Sequence, residues 1–233
     1  MAISASTRLV ALLGHPVSHS LSPRMQNAAF AARGLDWAYV ALDVPTERLA
    51  DAVRGLAAAG FAGANVTAPH KLAAARLCDE ADAESVNTLV FADGRVLGSS
   101  TDAAVLEAMS RDLVPGRVSI VGDGGAARAF AAALPGARVF SRRGAWPPDV
   151  AEADLVVHAT PVKDAVLFEL HEGQTLVDLP YPDSATADAA RAAGATVFDG
   201  LEVLVRQGAA SFERWTGVPA PLDVMRNAVR SAP

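Results

Sequence analysis

Short apolar runs alternate with longer amphipathic stretches along nearly the whole chain, and the two periods separate strands from helices. Residues 8–14 (RLVALLG) read as a buried strand. Residues 22–33 read as a helix opened by a Ser22 cap with Pro23 in its first turn, and 37–44 (WAYVALDV) as a second strand. An amphipathic helix follows over 46–59, then a third strand over 60–67 (GFAGANVT) and a helix starting after Pro69. Residues 87–99 read as two short strands around an Asp93-Gly94 turn. A helix from about 102 to 112 runs into Val114-Pro115-Gly116, a natural boundary.

A second alternating series starts at Arg117. RVSIVG (117–122) reads as a strand, GGAARAFAAAL (124–134) as a helix, and ARVFS (137–141), DLVVHAT (154–160) and QTLVDLP (174–180) as strands. The helix ADAARAAG (187–194) leads to ATVFDG (195–200), and the last thirty residues read as helical. Strands interleaved with helices predict an α/β fold, with a parallel sheet in this second half.

Composition narrows the partners. The chain has 233 residues, enough for one large or two small domains, and a net charge of -6. That balance argues against nucleic acid or an anionic membrane surface as the main partner. An acidic ligand must therefore be met by locally placed donors. Cys78 is the one cysteine, so there is no internal disulfide and no cysteine metal cage. His15, His19, His70, His158 and His171 lack metal-ligand spacing, so no metal is expected. No apolar run approaches membrane-spanning length and the N-terminus lacks a signal-peptide pattern, so the expectation is a cytoplasmic protein.

Two clusters carry candidate chemistry. The first is Asn65-Val66-Thr67-Ala68-Pro69-His70-Lys71, read with Asn87-Thr88 and Thr101-Asp102: a lysine, an acid and small hydrogen-bonding side chains at strand ends. Ser20 and Ser22, two residues apart before a helix, can donate to a carboxylate while the helix N-terminus adds partial positive charge. The second cluster is the turn Gly122-Asp123-Gly124-Gly125-Ala126-Ala127, set between a strand and a helix. A glycine-rich turn in that place lets backbone N–H groups approach a pyrophosphate. The next strand ends in Ser141-Arg142-Arg143, where a cofactor with a free ribose hydroxyl would meet an Asp or Glu. A guanidinium instead matches a 2′-phosphate, so NADP is expected over NAD.

Taken together, residues 19–27 (HSLSP…N), 65–71 (NVTAPHK), 86–90 (VNTLV), 98–102 (GSSTD), 122–129 (GDGGAARA), 141–143 (SRR), 159–162 (ATPV), 178–181 (DLPY) and 200–217 (GLEVLVRQGAASFERWTG) resemble the motifs of the shikimate dehydrogenase family, in order and over nearly the whole chain. The resemblance implies two α/β domains. One is an N-terminal substrate domain over 1–104 plus 206–233, the C-terminal helices returning to it. The other is a Rossmann-like NADP domain over 105–205. It implies that Ser20 and Ser22 bind a substrate carboxylate, with Tyr181 near that end. Thr67, Asn87, Asp102 and Gln207 would hydrogen-bond ring hydroxyls, and Lys71 with Asp102 would form the catalytic pair. Gly122, Gly124, Gly125, Ala126, Ser141, Arg142, Arg143, Thr160 and Gly200 would line the cofactor site.

The reaction so implied is the reversible reduction of 3-dehydroshikimate to shikimate. Quinate or aminoshikimate dehydrogenase, and a ring-acid-binding regulatory protein without hydride transfer, remain open beside it. The expected partner is a small molecule, and the chain a monomer or homodimer. Several positions depart from the family pattern. The stretch between Lys71 and Asn87 is short, and Gly144-Ala145-Trp146-Pro147-Pro148 stands where a helix is usual. The family's Asn-Ala-Thr-Pro-x-Gly-Met becomes His158-Ala159-Thr160-Pro161-Val162-Lys163-Asp164. Gln26 replaces a His, Ser100 an Asn, and Pro182 directly follows Tyr181.

Overall fold

Strand β1 (Arg8–Gly14) is the axis of the first sheet because its neighbours lie on both sides in parallel: β2 (Trp37–Asp43) on one edge and β3 (Gly63–Val66) on the other. The computed structural model describes residues 3–108, 116–181 and 183–231. They form two compact units, one running through Thr101 and resuming at Val205, the other Asp102–Leu204.

In the first unit, α1 (Ser22–Ala32) connects β1 to β2. A short 3-10 turn (Thr46–Arg48) and α2 (Leu49–Ala58) connect β2 to β3, in place of the continuous helix expected over 46–59. Leu49, Val53 and Leu56, spaced on one helical face, are buried with Ala11 and Leu13 of β1 and Ala64 and Val66 of β3. Each such leucine or valine contributes about 1.5–3 kcal/mol of burial. The helix after Pro69 is only α3 (Lys71–Ala75), and Cys78 Sγ donates to the Ala74 carbonyl at its end, 3.2 Å away.

This sheet is mixed. β4 (Glu80–Ala81), β5 (Thr88–Ala92) and β6 (Arg95–Ser99) complete the order β2-β1-β3-β5-β6-β4, with β5 antiparallel to both β3 and β6. β4 was not anticipated. It is two exposed residues bridging Leu97 and Gly98, too short and too polar to leave an apolar signal.

In the second unit a 3-10 helix spans Asp102–Ala108; the rest of the helix expected over 102–112, and the Val114-Pro115 boundary, lie outside the described residues. The sheet is wholly parallel, as expected. β7 (Val118–Val121) lies between β8 (Arg138–Phe140) and β9 (Leu155–His158), followed outward by β10 (Thr175–Asp178) and β11 (Thr196–Phe198). The chain leaves β7 toward β8 and returns to its other side as β9. A topological switch point therefore falls at the C-terminal ends of β7 and β9, where open α/β sheets bind ligands. Helix α4 (Gly125–Ala133) buries Ala127 and Phe130 against Ile120 and Val157, and α5 (Ala185–Ala192) buries Ala187 and Ala190 near Leu176.

Helix α6 (Gly200–Thr216) begins in the second unit and ends in the first, followed by α7 (Leu222–Arg230). Its second half docks into the first unit as expected. Phe212 stacks on Phe30 with ring centroids 5.3 Å apart, and Trp215 Nε1 donates to the Leu89 carbonyl at 2.9 Å. Gly63 makes room for that indole: a side chain there would run into Trp215 and the Leu89 carbonyl. No helix among the described residues is long and apolar enough to cross a membrane.

Candidate active site

In the first unit, the site is assembled at the C-terminal ends of β1 and β3. Thr67 N–H donates to the Leu13 carbonyl (2.9 Å), extending the β1–β3 ladder one residue beyond the strand, and His70 N–H returns to the Thr67 carbonyl (2.9 Å). The turn delivers Lys71 to the start of α3, its carbonyl accepting from Val86 N–H at 3.2 Å. Val66 N–H donates to the Asn87 carbonyl (2.8 Å), so Asn87 stands opposite the residue that precedes Thr67.

Asn87 is 2 % exposed and both ends of its amide are committed. Its Oδ1 accepts from Thr101 N–H (2.8 Å); its Nδ2 donates to Thr101 Oγ1 (3.0 Å) and Gln207 Oε1 (3.3 Å). Thr101 Oγ1 also donates to the Gln207 carbonyl (3.0 Å). Three stretches distant in sequence thereby hold one another: the start of β5, the end of β6 and α6. Beneath them lies a buried polar layer that sequence reading did not assign. Asn65 Nδ2 donates to the Asn87 carbonyl (2.9 Å) and Ser211 Oγ (3.0 Å), and its Oδ1 accepts from the Tyr39 hydroxyl (2.8 Å). Satisfied networks of this kind rigidify what they support.

Ser22 does not cap α1, contrary to expectation. It is the first helical residue, buried, and the helix has no side-chain cap. Instead Ser22 N–H reaches Ser20 Oγ at 3.3 Å, which places the two serines on one tight turn. Of two family departures, Gln26 is tied in through its side chain, Nε2 donating to the Gly208 carbonyl (2.9 Å), whereas Ser100 is held through its backbone, its N–H donating to Asp82 (3.0 Å).

Asp102, buried, opens the second unit directly after Thr101. In the same unit a cleft of about 220 Å³ lies at the switch point, lined by Gly122, Asp123, Ser141, Arg142, Arg143, Trp146, Thr160, Pro161, Val162 and Leu167. Gly122 has φ +134°, and a Cβ there would stand 2.5 Å from the Ala159 carbonyl oxygen, so both conformation and space demand glycine. Gly124 precedes α4 without any side-chain cap, leaving the first helical N–H groups to other partners. Gly125 and Ala126 form the first turn of α4. The Arg142 guanidinium lies 5.7 Å from the centroid of the Trp146 ring, and Arg143 approaches Asp123 at 3.8 Å.

Trp146 also lines the cleft and was not among the individual residues expected there. It sits in the segment Gly144–Pro148, where no periodic pattern exists to read; a bulky aromatic beside two arginines was the available signal. Gly200 is not among the residues lining this cleft, and a Cβ there would run into the Pro180 carbonyl. Tyr181 is half-buried and its carbonyl accepts from Lys163 Nζ (3.4 Å); Pro182 lies outside the described residues. No group of three or more metal-ligating side chains occurs among the described residues.

The sequence profile of the shikimate dehydrogenase substrate binding domain matches residues 12–89, and that of the shikimate 5'-dehydrogenase C-terminal domain matches 200–230. Shikimate dehydrogenase (NADP(+)) of Methanopyrus kandleri is 40 % identical over 98 % of this chain and 97 % of its own length. The enzyme of the same name from Anaeromyxobacter dehalogenans is 41 % identical over 98 % of each chain. Among solved structures, a shikimate dehydrogenase in complex with NADP+ superposes with TM-score 0.90 at 32 % identity, covering 98 % of this chain and 96 % of that one. Shikimate 5-dehydrogenase of Thermus thermophilus, in complex with NADP(H) and shikimate, gives 0.85 at 34 % identity, covering 96 % and 98 %. The chain belongs to the shikimate dehydrogenase family.

Proposed function

We propose that the protein is an NADP-dependent shikimate dehydrogenase that reversibly reduces 3-dehydroshikimate to shikimate. The observation that carries this reading is the immobilised Asn87 amide, held by Thr101 and Gln207 next to the turn bearing Thr67 and Lys71. A polyol ring needs donors and acceptors whose directions are set in advance. A ring hydroxyl would displace the long 3.3 Å contact between Asn87 Nδ2 and Gln207 Oε1, and the two amides then meet it from directions already set, at low entropic cost.

The residues present fit a phosphorylated dinucleotide. Gly122 must be glycine, the start of α4 is uncapped, and Arg142 and Arg143 line the same cleft. Backbone N–H groups at the start of α4 would hold the pyrophosphate and Arg142 with Arg143 a 2′-phosphate, Trp146 giving the adenine-side wall. When bound, NADP supplies the hydride acceptor or donor for the ring carbon. The domain assignment follows: residues 1–104 with 206–233 bind substrate and 105–205 bind NADP, a division supported by compact units that part at Thr101 and Val205.

The chain's own residues do the rest. Ser20 and Ser22 bind the ring carboxylate at the start of α1, with Tyr181 near that end. Thr67, Asn87, Asp102 and Gln207 hold the hydroxyls. Lys71 and Asp102 share the proton that leaves the oxidised hydroxyl, or returns to it on reduction, and act as one coupled pair. Proton transfer by a positioned group contributes about 10²–10⁴ in rate.

The test is a panel of ring acids (shikimate, quinate and aminoshikimate), each offered with NADP and NAD. Shikimate with NADP should give the highest kcat/KM. Preference for quinate or aminoshikimate would reassign the substrate, and binding of shikimate without turnover of any acid would make the protein a ring-acid binder.

A further inference from the structure

At the end of β9, His158 is completely buried and bonded at both ring nitrogens. Nδ1 lies 2.6 Å from Asp178 Oδ1, and Nε2 lies 2.7 Å from Thr160 Oγ1. Asp178 is the direct register partner of His158 across β9 and β10, so the sheet itself sets the first contact. The T-shaped packing of Phe168 against the imidazole, at 5.8 Å and 88°, fixes its plane. Thr160 is the end of this chain of contacts that lines the dinucleotide cleft.

We propose that His158, backed by Asp178, is a positioning residue that holds the Thr160 hydroxyl as a hydrogen-bond acceptor facing the cofactor cleft. The inference rests on the NADP reading and extends it to a residue where this chain departs from the family pattern.

The polarity follows from counting protons. Ser184 Oγ accepts from Ala187 N–H (3.1 Å) and donates to Asp178 Oδ1 (3.0 Å), so Oδ1 already serves as an acceptor. The imidazole nitrogen facing the same oxygen must then bring a proton of its own, because two lone pairs at 2.6 Å would repel. In the neutral imidazole proposed here, Nδ1 carries the one proton, Nε2 is a bare acceptor, and the Thr160 hydroxyl turns its hydrogen inward. Thr160 Oγ1 also accepts from Val162 N–H (3.2 Å), which leaves one lone pair for the cleft. A threonine without these partners would rotate freely between donor and acceptor roles. This one cannot.

The experiment is a double-mutant cycle on NADP affinity, measured by calorimetry on the full chain, with Thr160→Val, His158→Asn and the double variant. Each single change should weaken NADP about tenfold, the scale of one lost or misdirected hydrogen bond, and the double variant should lose no more than Thr160→Val. Thr160→Ser, which keeps the hydroxyl, should bind within about twofold of wild type on the same hydrogen-bond scale. By proton NMR, the His158 Nδ1–H should appear as a downfield resonance that shifts on NADP addition, and addition should leave it unmoved in Thr160→Val. Should His158→Asn fail to fold, the Thr160→Val and Thr160→Ser pair with the NMR signal decides the matter. Additive losses, wild-type affinity in Thr160→Val, or a resonance indifferent to NADP overturns the proposal while leaving the cofactor reading intact. Wild-type protein that binds no NADP overturns both.

Discussion

Asn87 and Thr101 exchange hydrogen bonds in both directions, the Thr101 N–H to Asn87 Oδ1 at 2.8 Å and the Asn87 amide to Thr101 Oγ1 at 3.0 Å. Both residues are almost fully buried. Asn87→Ala leaves the Thr101 N–H without its Asn87 acceptor and removes the amide that donates to Gln207 Oε1. We expect a loss of about 1–3 kcal/mol in stability, read by urea denaturation, and at least a tenfold rise in KM for shikimate. An unchanged KM would remove Asn87 from the substrate contacts while keeping its structural role.

Arg142 stacks near Trp146 on the wall of the cleft. A charge-assisted bond to a 2′-phosphate is worth about 1.5–3 kcal/mol, so Arg142→Ala should reduce the NADP over NAD preference about tenfold or more. The ratio of kcat/KM for the two cofactors measures this, and an unaltered ratio would mean the guanidinium does not meet that phosphate. Trp146→Ala should weaken both cofactors alike, because an adenine wall does not distinguish them.

Gly122→Ala places a methyl against the Ala159 carbonyl at a φ of +134°, a combination of strain and overlap. It should cost about 1–3 kcal/mol of stability and abolish measurable NADP affinity, since the turn must shift outward into the cleft. Gly124→Ala, where a Cβ meets open space, serves as the tolerant control for stability.

Cys78 gives a pH prediction. Burial first, then the nearby carboxylates Asp79 and Asp82, raise its thiol from 9.0 to about 11. The folded pKa is the higher one, so the stabilising contribution is complete below pH 9.0 and disappears as pH rises toward about 11, where the unfolded chain has already ionised. The urea midpoint should therefore fall across that interval, and fall less in Cys78→Ala. Alkylation of folded protein by iodoacetamide near pH 9 should be slow compared with unfolded chain; rapid alkylation would show an accessible thiolate.

What could be read from the chain beforehand was local. The apolar run Arg8–Gly14 and the Gly122 turn each carry their signal in adjacent residues and took their expected form, while the helix expected over 46–59 is a 3-10 turn followed by α2. Asn87 and Gln207 stand 120 residues apart, and no period or local motif connects them; only resemblance placed both in one site. The layer of Tyr39, Asn65 and Ser211 was invisible for the same reason, since isolated polar residues in apolar segments do not announce their partners. Ser22 had the residue type of a cap, yet the helix begins one residue early and the serine is buried within its first turn. β4 and the Trp146 wall lie in segments without hydrophobic periodicity, where side-chain identity says little about path.

The most direct test of the account is the rate of NADPH formation from shikimate by wild type and by Lys71→Ala, with shikimate binding measured in parallel by calorimetry. Wild type should turn over steadily, and Lys71→Ala should show a kcat lower by about 10²–10⁴ with shikimate still bound. No turnover by wild type, or near-normal turnover by Lys71→Ala, would contradict it.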